Sequence, residues 1–190
     1  MQWHRITVLF LIVIGMVVMT TGCLTTQYKE YHFKVNDDGT GSGTIKFINL
    51  LSQEDNGEDV SDADFTELVD NYLDGTSFED DNPHLKVSGK RIYQVDSMLV
   101  GEVTFTFDNL DSVGFYRYAA CECSPTMYYL GTSSESFMES NGTYLGENRD
   151  LPVLIWDPQM DDFSFKTVVT EDLSRCHSLL PMYDIWHQTN

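Results

Sequence analysis

The chain is poor in cations. Its 190 residues carry 11 Lys and Arg against 30 Asp and Glu, a formal net charge of −19. Phosphate backbones are bound by Lys and Arg that displace counterions, so this balance excludes nucleic acid as a partner. Long apolar runs are lacking too. Ile6 to Met19, broken only by Thr7 and Gly15, is 14 residues, whereas a membrane-spanning helix needs about 20. There is no G-x-S-x-G, no H-E-x-x-H, no P-loop and no dinucleotide glycine fingerprint. No repeat and no Pro-rich or Gly/Ser linker divides the chain. What is present is a 42% apolar and 13% aromatic composition, which excludes wholesale disorder.

The N-terminus orders Arg5, the apolar run and then Thr20-Thr21-Gly22-Cys23. A positive start, a short apolar stretch and small residues before a cut are the parts of a signal peptide. Ending in a cysteine, they resemble the signal of a bacterial lipoprotein. The resemblance implies cleavage before Cys23, a diacylglycerol on its thiol and a fatty acyl chain, such as palmitate, on its new amine. Several chains at about 0.8 kcal/mol per buried CH₂ hold a membrane stably where one does not. The reading divides the protein into a signal peptide, 1–22, and a lipid-anchored domain, 23–190. The mature 168 residues lose Arg5 and carry a net charge of −20. Leu24 in place of Asp implies the outer membrane where the cell has one. An ordinary secretory signal and an uncleaved anchor are the other readings of this leader.

Three cysteines remain, Cys121, Cys123 and Cys176, an odd number for an oxidising compartment. The expected disulfide joins Cys121 or Cys123 to Cys176 and leaves one thiol; a direct Cys121–Cys123 bridge is strained. Cys121, Cys123, Cys176 and His177 have the ligand types of a zinc site, but their spacing departs from paired C-x₂₋₄-C units.

Periodicity predicts an α+β fold, a β-rich antiparallel sheet of five to eight strands packed by one amphipathic helix, with a short C-terminal helix. Tyr28–Val35 alternates, with Lys29, Tyr31, Phe33 and Val35 on one face and a stray lysine among them. Asn36 to Gly43 is a glycine-rich turn into a strand over Thr44–Leu51. Gln53–Asp64 reads as an acidic loop. Phe65, Leu68, Val69, Tyr72 and Leu73 form one helical stripe, with Asp64 and Glu67 as a capping box and Gly75 at the stop. Further strands are expected over Leu85–Val95, Leu99–Phe107, Phe115–Ala120, Thr126–Leu130, Thr143–Leu145, Val153–Trp156 and Phe163–Val169. Thr132–Asp150 is a long polar excursion, and Leu179–Trp186 has helical spacing.

Few residues point to chemistry. Gly39–Gly43 lacks a phosphate-binding lysine and links two strands. Neither Asn36–Gly39 nor the acids around Gly57 place acidic residues at both ends of a calcium loop. Asp157, Asp161 and Asp162 beside Trp156 superficially resemble a sugar site with an aromatic platform, and an envelope hydrolase using them is one alternative. No cofactor is called for. The 22 aromatics left after the leader serve a core, or line a concave apolar pocket.

Asp38-Gly39-Thr40-Gly41-Ser42-Gly43, the Phe65–Leu73 helix and the strand end Val103–Leu110 resemble the LppM-like lipoprotein domain over about half of the mature chain. That resemblance implies a sheet gripping a helix and a link to envelope glycolipids; no binding residue is carried over. The expectation is a non-catalytic, lipid-anchored protein of the bacterial cell envelope that binds a lipid or other apolar ligand. An accessory subunit presenting an apolar patch to an envelope protein partner is the other non-catalytic reading.

Overall fold

A computed structural model describes residues 23–118, 123–130, 135–146 and 151–189. The leader, Cys121 and parts of the Thr132–Asp150 excursion lie outside them. The fold is β-rich α+β, as the periodicity predicts. Its main sheet takes β1 (Leu24–Val35), β2 (Gly41–Gln53), β3 (Lys86–Val95), β4 (Met98–Phe107), β7 (Ser136–Ser140), β10 (Asp162–Val168) and β11 (Cys176–Ser178). The order is β3-β4-β2-β1-β10-β7, all antiparallel. β11 pairs with Leu51–Gln53 of β2, beyond the stretch that pairs with β4. A second sheet, absent from the sequence-based expectation, has the order β5-β6-β9-β8. Its strands are β5 (Phe115–Arg117), β6 (Thr126–Tyr129), β8 (Thr143–Tyr144) and β9 (Val153–Trp156).

Register explains which face is buried. Phe33 lies opposite Gly43 and Phe163, Tyr31 opposite Ile45 and Phe165, and Gly43 opposite Phe105. Paired residues share a face, so alternation on four strands sums to one apolar surface. Its distal end is covered by the second sheet. Phe115 meets Phe33 edge-on at 4.9 Å between centroids, and Trp156 packs against Phe163 at 5.1 Å. Its proximal end, near residue 24, is covered by helices. α1 (Ser61–Glu67) runs on as a π-helical turn, Leu68–Leu73. Phe65, Leu68 and Val69 from these, with Tyr183 of α3 (Leu180–Thr189), close over Leu50, Leu99 and Leu179. α2 (Ser77–Asp81) places Phe78 in the other cluster, with Phe33, Phe105 and Phe115.

Three details differ from expectation. β2 starts at Gly41, so Gly41 and Gly43 are strand residues. A Cβ on Gly43 would lie 2.6 Å from the Phe105 ring and 3.0 Å from Phe33, so the missing side chain makes room for both rings. α1 starts at Ser61, which makes Asp64 a buried helix residue and removes the Asp64–Glu67 capping box. Asp59 instead accepts from the Ser61 backbone N–H (3.0 Å) and hydroxyl. β2 bends at Asn49, where φ is 60° and the ladder with β1 is interrupted. Asn tolerates this left-handed conformation, and its Nδ2 donates to Gln27 Oε1 at 2.9 Å.

Gly43→Val should overpack the Phe33–Phe105 contact and destabilise the fold by about 1–3 kcal/mol. Urea unfolding monitored by far-UV circular dichroism would read this as a lower midpoint at unchanged slope.

Candidate functional site

Two covers on one face leave a seam between them. There the structure has a cleft of about 640 Å³. Its floor is the sheet face, including Phe33, Ile45, Phe47, Leu50, Val103 and Phe105. Leu68, Tyr72 and Leu73 of the helical turn, with Phe78, wall one side; Val113, Gly114 and Tyr128 wall the other. π-helical turns recur at functional sites, and here the turn's last two residues both line the cleft. The volume and apolar lining match sites for drug-sized ligands.

Two lysines enter this apolar surface. Lys29 Nζ donates to Glu135 Oε1 at 2.8 Å and lies 5.7 Å from the centre of the Phe47 ring. The same carboxylate accepts from the Tyr31 hydroxyl at 3.0 and 2.9 Å and from Thr167 Oγ1 at 2.6 Å. Lys29, Tyr31 and Thr167 share the sheet's buried face through the β1–β10 register. The Glu135 side chain is only 9% exposed. Burial opposes its charge, but hydrogen bonds from Lys29 and Thr167, with the Lys29 charge and Tyr31 hydroxyl, together hold its carboxyl below the usual value. Burial first, then the Glu135 charge, pushes the Tyr31 phenol far up, so it stays a donor. Lys90, on the cleft wall, donates to the Gly75 carbonyl and pairs with Glu79 at 2.9 Å.

The residues singled out by sequence are dispersed. Cys23 stands at the proximal end, its carbonyl accepting from Gln53 N–H at 2.8 Å, with β1 starting at the next residue. Burial, then Asp64, Asp55 and Glu67, raises its thiol pKa. Cys123 is disulfide-bonded and Cys176 is a thiol, so the expected bridge to Cys176 is not formed. The reason is placement: Cys176 begins β11 at the proximal end of the main sheet, while Cys123 leads into β6 of the second sheet. A disulfide sulfur is no thiolate ligand, which removes the zinc quartet with Cys121, Cys176 and His177. His177 instead sits between Glu54 (3.3 Å) and Asp59 (3.5 Å). Among the described residues no group of three His, Cys, Asp or Glu is placed to hold a metal ion. Burial also raises the Cys176 thiol, the reverse of nucleophile activation.

Trp156 is 1% exposed and gives its indole N–H to Asn141 Oδ1 at 2.7 Å, so it offers no platform to a sugar. Near it, Asp157 closes a turn onto the Gln159 N–H, Asp161 pairs with Lys34, and Asp162 faces His32. No described helix is long and apolar enough to cross a membrane. Lys29 was visible in the sequence as a polar intruder on an apolar face. Glu135 was not, because 106 residues separate it from its partner. No family model, no curated protein and no solved structure matches the chain.

Glu135→Gln should cost about 1.5–3 kcal/mol at neutral pH by weakening charged hydrogen bonds. A carboxyl held low stabilises the fold fully above its unfolded value of about 4.3, and that contribution is lost as pH falls through the folded value. Thermal melts of wild type and variant should therefore differ at pH 7 and converge only as pH falls from about 4.3 through the lower folded value.

Proposed function

We propose that the protein is a non-catalytic, lipid-anchored component of the bacterial cell envelope whose cleft takes an apolar or lipid ligand. The observation that carries this reading is the cleft itself, a large concavity floored by sheet aromatics and kept open between two separate covers. The sheet grips the α1–π segment across its proximal end, in keeping with the resemblance to the LppM-like domain. The anchor is Cys23. Because β1 begins at Leu24, no tether intervenes, and acyl chains on Cys23 would hold the proximal end of the sheet at the bilayer surface, in the outer membrane where there is one. Leu24 itself lines the cleft, so the ligand site begins one residue from the anchor.

A second observation favours an accessory role with an envelope protein partner. On the outer face of the second sheet Tyr116 is 53% and Tyr129 52% exposed, and neighbouring Leu151 is 50% exposed. Exposed aromatics grouped on one surface mark interaction sites.

Native mass spectrometry of the purified chain should show a co-purified lipid. Ile45→Trp, which fills the cleft floor, should remove that adduct while leaving the circular dichroism spectrum unchanged. A wild-type spectrum free of lipid would favour the accessory reading. Cys23→Ser should move the protein from the membrane fraction to the soluble fraction on ultracentrifugation; retention in membranes would overturn the lipid anchor.

A further inference from the structure

We propose that the cleft selects amphiphiles with a carboxylate head, which seat on Lys29 Nζ and the Tyr31 hydroxyl in exchange for the chain's own Glu135. This rests on the reading of the cleft as a ligand site and says which ligands it takes.

The argument starts from the geometry around Glu135. Among the described residues, three side chains from two adjacent strands converge on its two oxygens. Oε1 receives Lys29 and Tyr31, and Oε2 receives Tyr31 and Thr167, all between 2.6 and 3.0 Å. The set is one cation and two hydroxyls over two oxygens, which is a receptor for a single carboxylate. Its members belong to the sheet, whereas Glu135 precedes β7 at the sheet's edge. The receptor therefore stands whether or not Glu135 fills it.

Two of the three donors, Lys29 and Tyr31, also line the cleft. An ammonium has three donor hydrogens, and Lys29 gives one hydrogen bond, to Glu135. Its Nζ otherwise lies over the Phe47 ring, where an apolar chain would run. A carboxylate entering with its tail along Ile45, Phe47 and Leu50 reaches the same ammonium that Glu135 holds. A neutral ester head can accept a hydrogen bond from the ammonium but forms no ion pair, so it does not displace Glu135. The other Lys and Arg in the lining are already engaged, Lys90 by the Gly75 carbonyl and Glu79 and Arg91 by Glu102 at 2.7 Å. The exchange leaves the charge around Lys29 balanced, one carboxylate replacing another, with Glu135 released toward solvent.

The test is displacement of a fluorescent fatty acid from the purified full chain by oleate and by methyl oleate, which share a tail and differ in the head. Wild type should prefer oleate by about tenfold. Glu135→Ala, which empties the receptor, should tighten oleate by about a further tenfold and leave methyl oleate unchanged. Lys29→Met, which keeps the apolar stem, should abolish the preference without weakening methyl oleate. Equal binding of both ligands by wild type, or weaker oleate binding in Glu135→Ala, would overturn the exchange while leaving the cleft as a ligand site. Binding of neither ligand would overturn both. Should Glu135→Ala fail to fold, Lys29→Met against wild type decides the question alone.

Discussion

The main sheet buries one face, carrying Phe33, Phe105, Phe163 and Leu50, under covering elements, and that face is longer than anything available to cover it. β1 has twelve residues, about 40 Å of strand. The α1–π segment spans about 20 Å, and the second sheet has strands of only two to four residues. Neither cover spans the face alone, and Phe78 and Tyr72 of the helical cover reach the cluster that holds Phe115 and Trp156. Each closes its own core, one around Phe33, Phe105 and Phe163 and one around Leu50, Leu99 and Leu179. The cleft is the interval between them. It follows from a mismatch of lengths and needs no special loop to hold it open.

The same mismatch gives meaning to the polar residues on that face. A lysine at position 29 would be costly in a fully covered core, because a buried ammonium must be paired. Under the seam it has Glu135 on one side and the cleft on the other. Tyr31 serves both environments, stacking on Phe165 at 4.4 Å while its hydroxyl reaches Glu135. A glycine of β2 contributes too: Gly43 yields its space to Phe33 and Phe105, whose rings meet at 68° in the floor.

Much of this was legible in the sequence. The main-sheet hairpins follow from strict alternation, as in Tyr28–Val35 and Leu99–Phe107, and the helical stripe Phe65–Leu73 from its spacing. The lipidation reading rests on the leader, which lies outside the described residues. The second sheet was hidden as an architecture, since strands as short as Thr143–Tyr144 carry too little pattern to reveal which sheet they join. β11 was missed because its three residues, Cys176–Ser178, alternate with nothing. Asp64 misled the helix start: a carboxylate before an apolar stripe signals a cap, but here the helix begins a turn earlier and carries it inward. The candidate site was legible only by half. Lys29 stood out on its face, while Glu135 sat in a polar stretch where one carboxylate looks like any other.

The position of β1 has a mechanical consequence. It is an inner strand, bonded to β2 from Leu24 to Val35 and to β10 from Tyr28 to Lys34. Antiparallel ladder bonds lie across the strand axis. Tension applied at residue 23 and resisted by the body of the protein therefore acts along the strand and shears both ladders at once. The bonds share the load and must fail together, whereas a strand peeled from an edge gives way one bond at a time. A chain joined to its surroundings at this point is fastened by its strongest seam.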